Sequence, residues 1–192
     1  MSALAHITVG LTGAARLVKL DTGGFDYFEA TTDGFWRSFL AAAVVGPLFI
    51  VYLIVRYLGA PTEEGFSHFL IVECLAYTIA WLAFPVVMLT IARALDRPLD
   101  ADSRMIGYLV AYNWMQAIQN AVYLPIVILG MTGALGQDLA NSAALIALMW
   151  VLGMTYFVTQ RALDIPTVTA AGIVVMDLLL GLFIEVMTDR AV

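Results

Sequence analysis

Five apolar runs, at 39–57, 69–92, 106–131, 139–159 and 165–187, leave this 192-residue chain little to build with outside them. At ~1.5 Å of rise per residue, each is long enough to cross the roughly 30 Å of hydrocarbon in a bilayer. Lipid offers no water to bond exposed peptide groups, so every run must satisfy its own backbone as a helix. The expected fold is all-α, a polytopic transmembrane bundle of five spans over residues 37–192, with an N-terminal segment over residues 1–36. Composition agrees, since 62% of residues are hydrophobic and 12% charged, against about 45–50% and about 25% in a soluble domain.

Ahead of the first run, Leu4, Ile7, Leu11, Ala14 and Val18 recur at steps of three and four, with His6, Thr12, Arg16 and Lys19 elsewhere on the wheel. That pattern predicts an amphipathic helix lying in the membrane interface, although Gly10 and Gly13 lower its propensity. No basic residue precedes this stretch, so a cleaved signal is not expected. Five spans place the termini on opposite sides. Seven of the nine basic residues (Arg16, Lys19, Arg37, Arg93, Arg97, Arg104 and Arg161) then share the N-terminal side, leaving Arg56 and Arg190 on the other. The positive-inside rule predicts a multi-pass protein with its N-terminus cytoplasmic and its C-terminus on the opposite side.

The connections are marked by Gly59-Ala60-Pro61, Arg97-Pro98, the glycines 130, 133 and 136, and Asp164-Ile165-Pro166, with Thr62, Ser103, Asn141 and Asp164 as expected helix caps. The fourth run is the weakest, being short and preceded by Gln137-Asp138. Pro47, Pro85 and Pro125 fall inside the first three spans, where lipid-embedded helices tolerate them. Small residues four apart, such as Ala42 with Gly46 and Ala143 with Ala147, suit close helix packing.

Several functions are disfavoured. A net charge of −6 without any Lys/Arg cluster argues against a nucleic-acid partner. The single Cys74 and the separated His6 and His68 suggest no disulfide framework, no metal site and no haem or other cofactor. No nucleophile has a base at matching membrane depth, so the chain does not read as an enzyme.

Polar groups inside the spans carry the functional signal. Asp177 lies near the middle of the last run, where a carboxylate must be paired, protonated or facing water. Asn113, Gln116 and Asn120 follow helical spacing in the third run and form one stripe facing the bundle interior. Asp177 is about 17 Å above Pro166 and Gln116 about 17 Å above Met105, so amides of the stripe are expected to bond the carboxyl. Glu73 enters from the other side with Tyr123 as its nearest polar neighbour by depth, and no Lys or Arg lies deep in any span as a partner for either acid. Glu185 reads as a boundary residue. These groups suggest a membrane protein that binds other membrane proteins, or itself, through polar helix contacts. The alternative is a small proton- or cation-coupled transporter or channel component built on Asp177.

The five closely spaced spans and negligible soluble mass resemble Yip1-type integral membrane proteins. The stretches Phe25-Asp26-Tyr27-Phe28, Asp33-Gly34-Phe35-Trp36-Arg37-Ser38-Phe39 and Tyr112-Asn113-Trp114 are similar to small proteobacterial inner-membrane proteins, a resemblance that implies a bacterial inner (cytoplasmic) membrane with the C-terminus periplasmic. The Yip1-type resemblance implies a membrane-organising, partner-binding or accessory role without catalytic residues.

Overall fold

The computed structural model describes residues 2–94 and 103–192, which leaves Arg97 and Pro98 outside the described residues. Helices account for the architecture, with no strand among those residues: α1 (Ala3–Val18), a 3-10 turn (Thr22–Tyr27), α2 (Thr32–Ser38), α3 (Leu40–Gly59), α4 (Gly65–Ala94), α5 (Ser103–Met131), α6 (Gln137–Leu163) and α7 (Thr167–Asp189). α2 and α3 are separated only by Phe39 and together form one apolar rod, Thr32–Gly59. With α4 to α7 this makes five helices long and apolar enough to cross a membrane. The fold is that of a multi-pass membrane protein.

The fourth span extends past both ends of its expected bounds, to 27 residues. Its start is Gly136, not Asn141, which lies inside α6. Asp164 ends α6 in the left-handed region (φ 52) instead of opening the next helix, whose N-cap is Pro166. Pro47, Pro85 and Pro125 all sit inside continuous helices.

The main contacts between spans run α3 to α5, α5 to α6, α6 to α7, α7 to α4 and α4 back to α3. This cyclic order makes a ring. We call the end holding the N-termini of α3, α5 and α7 the base, and the opposite end the mouth. α5 and α7 are not among the closely packed pairs, so space remains between them. The base is dense: Tyr108, Leu109, Ala111 and Asn113 of α5 are completely buried among α1, α2, α3 and α6.

α1 belongs to that dense end, with Ala14 and Leu17 fully buried. Its glycines explain the fit. A Cβ on Gly10 would overlap the Trp114 ring of α5, and one on Gly13 would press on Tyr27 and Phe28. The residues that weaken the helix by propensity are therefore its points of closest approach. Gly46, by contrast, has open space beside it, so the Ala42–Gly46 pair is not a packing notch. After α1 the chain turns back on Asp21, which accepts from Arg16 Nε at 2.7 Å and from the Gly23 N–H at 2.9 Å. The Arg16 bond first, and the Gly23 bond second, hold the Asp21 carboxyl below its ordinary pKa.

Candidate functional site

At ~100° per residue, the polar side chains of α5 at 112, 113, 116, 119 and 120 fall within roughly 120° of arc. α5 has different neighbours across that arc, and they divide it. At one edge Gln119 turns to α6, where its Nε2 donates to the Val151 carbonyl at 3.3 Å and the Thr155 hydroxyl at 3.2 Å. At the other edge Asn113 turns to α2, with Nδ2 donating to Ser38 Oγ at 2.8 Å and Oδ1 buried without a partner among the described residues. Asn113 is thus removed from the expected Asp177 cluster, because a position 100° round the helix from Tyr112 meets a different element.

Between those edges lies the site. The Tyr112 hydroxyl donates to Asp177 Oδ1 at 2.8 Å, and Gln116 Nε2 donates to the same hydroxyl oxygen at 2.7 Å. Gln116 therefore reaches Asp177 through a phenol, not directly, and Asn120 donates to the Gln116 backbone carbonyl at 2.8 Å. The long Tyr112 side chain bridges the gap between α5 and α7 that an amide cannot cross. Tyr112 is absent from the expected amide stripe, although it stands one turn before Gln116 on the same face. Its ring is held by stacking on Phe84 of α4, centroids 4.3 Å apart.

The gap is a cavity in two adjoining lobes of about 460 and 380 Å³ that share Tyr112, Gln116, Asn120, Tyr123, Gly181 and Glu185. Asp177 lines the smaller lobe. The larger one runs to the mouth along Phe49, Tyr52, Tyr77 and Trp81 of α3 and α4. Glu185 is more than a boundary residue, since it lines both lobes.

At the mouth the structure corrects a second expectation. Glu73, whose side chain is only 5% exposed, does have a cation: Arg56 Nη1 lies 2.6 Å from its Oε1. Arg56 Nη2 lies 2.6 Å from Asp189 Oδ1, so one guanidinium ties α3 to both α4 and the end of α7. The guanidinium also sits 5.8 Å from the Phe69 ring centroid. Arg56 and Glu73 flank the same short α3–α4 connection, and the hairpin apposes them. That shared connection is the sequence signal for the pair, since Arg56 lies near the end of its span and not deep within it. Tyr123, expected opposite Glu73 by depth, lines the same cavity but makes no hydrogen bond to Glu73.

No protein-family model, curated protein or solved structure matches the chain.

Proposed function

We propose that this is a non-enzymatic integral membrane protein that binds a small solute inside its helix ring and couples binding to a proton or cation at Asp177, as a transporter or channel component. The observation that carries the reading is the Tyr112–Asp177 hydrogen bond on a cavity wall. A carboxyl in a spanning helix that faces internal space has the placement used by ion and proton pathways. The volume of the larger lobe falls within the ~300–1,000 Å³ common for small-molecule sites.

Partner binding through polar helix contacts, including a Yip1-type organising role, needs those polar groups on the outer surface. Here Asp177, Gln116 and Asn120 line the cavity, while α7 exposes Val175, Leu179 and Phe183 away from it. That contrast favours the cavity. In this reading the protein lies in a bacterial cytoplasmic membrane with its base inside. Arg16, Arg37, Arg93, Arg104 and Arg161 gather in elements at the base, against Arg56 and Arg190 at the mouth.

The test is proton uptake into liposomes holding a trapped pH dye, under an imposed pH gradient. Asp177→Asn keeps size and hydrogen bonding but cannot titrate, and should cut protein-dependent uptake by roughly tenfold or more. Equal uptake by parent and variant, with matching elution profiles, would reject the coupling role.

A further inference from the structure

The charge and wall chemistry of the cavity point to the class of solute, and this step rests on the cavity being a solute site. We propose that the ligand is an organic monocation, a quaternary ammonium or protonated amine with a bulky apolar or aromatic body.

Charge comes first. Arg56 is the cation lining the cavity among the described residues, and its two terminal nitrogens are engaged by Glu73 and Asp189. One positive group thus serves two negative ones. Glu185 and Asp177 also line the lobes, and neither has a cationic partner among the described residues. A solute anion meets a guanidinium already occupied and adds to an acidic excess. A cation relieves that excess, the more so in a low-dielectric surround where charge attraction is strong.

An inorganic ion suits the site poorly. Among the described residues no three His, Cys, Asp or Glu side chains gather as metal ligands, and a bare ion leaves most of about 460 Å³ unfilled. The walls fit an organic body instead. Tyr77 stacks on Phe49 with centroids 4.3 Å apart, and Trp81 stands edge-on to Tyr77 at 6.0 Å. All three line the larger lobe and offer the aromatic surface that quaternary ammonium groups prefer.

The α7 wall supplies the path between the acids. Gly181 lies one turn from Asp177 and one turn from Glu185, and the space where its Cβ would be is open. Position 181 therefore puts no side chain between the two carboxylates, and a cation at Gly181 has both within about 6 Å of helix rise. Glu185 receives the cation nearer the mouth and Asp177 holds it at depth.

Two probes of the same shape and opposite charge test the assignment: tetraphenylphosphonium and tetraphenylborate, by equilibrium dialysis against full-length protein in detergent. Saturable phosphonium binding is expected, with borate at least ~10-fold weaker. Trp81→Ala and Glu185→Gln should each weaken phosphonium binding about fivefold or more, whereas Trp81→Phe, which keeps an aromatic face, retains most of it. Borate binding as well as phosphonium would overturn the cation assignment while leaving the solute site standing. So would phosphonium binding unchanged in an Asp177→Asn/Glu185→Gln double variant that elutes like the parent. If no saturable phosphonium binding occurs while the parent still shows Asp177-dependent proton uptake, the ligand class is wrong and the coupling reading survives.

Discussion

Two sets of polar side chains on α5 use the same residue types for opposite purposes. In the first, Tyr108 and Asn113 are completely buried, Tyr108 sharing a 3.0 Å hydrogen bond with Thr159 and Asn113 donating to Ser38. In the second, Tyr112, Gln116 and Asn120 line the cavity and form a chain ending at Asp177. The first set locks neighbouring helices together, because losing such a bond leaves a buried polar group at a cost of about 1–3 kcal/mol. The second set borders space in which a ligand can meet it. Polarity within a membrane span is therefore not itself a sign of function. What separates the sets is whether the polar group faces a partner or a void.

The largest effect that would sharpen this contrast is expected at the mouth. Arg56→Ala leaves Glu73 buried beside no cation and should cost about 2–3 kcal/mol in detergent unfolding, less than the ~3–5 of a fully buried pair because Arg56 still reaches water. Adding Glu73→Gln should recover much of that loss. Failure of the double variant to recover would show that Arg56 acts through Asp189 or its packing on Phe69.

Two glycines probe density directly. Gly10→Ala forces a methyl into the Trp114 ring and should lower stability by about 1–2 kcal/mol after its gain in helix propensity. Gly181→Ala meets nothing within 4 Å and should be neutral or up to ~1 kcal/mol stabilising. It should also narrow the solute path. Equal thermal shifts for the pair would erase the proposed difference between base and mouth.

Removing one hydroxyl from each set separates stability from function more finely. Tyr108→Phe should cost about 1 kcal/mol and leave Asp177-dependent proton uptake unchanged. Tyr112→Phe should cost no more, since Asp177 and Gln116 border a cavity, yet it should alter that uptake. The reverse pattern would place the functional chain at the base.

The smallest effect concerns the Arg16–Asp21 contact that closes the N-terminal segment. The Asp21 carboxyl is held below its ordinary value in the fold, so its contribution is complete above the unfolded carboxyl range near ~4 and declines as pH falls through the lower folded value. Asp21→Asn should flatten that acidic part of the stability profile and change little at neutral pH. An unchanged acid limb would mean that other carboxylates govern it.

Much of the fold could be read without coordinates. The five spans were visible because each apolar run exceeds bilayer thickness, and the structure shifts their ends by a few residues or turns. Asp177 stood out for the same reason, as a carboxyl with no place in an apolar stretch. Its surroundings were less legible. Depth arithmetic aligned Gln116 with Asp177 to within a turn, but rise along an axis carries no information about which way a side chain points. Asn113 and Tyr112 are adjacent in sequence and end on different neighbours.

Span number, helical class and the oddity of Asp177 were thus determined by the sequence alone, because lipid forces each long apolar run to satisfy its own backbone locally. The cyclic order of the helices, the Arg56 bridge and the cavity were decided only by tertiary structure. They depend on which faces of separate helices meet, and in lipid that choice rests on packing and a few hydrogen bonds, which periodicity along one helix cannot encode.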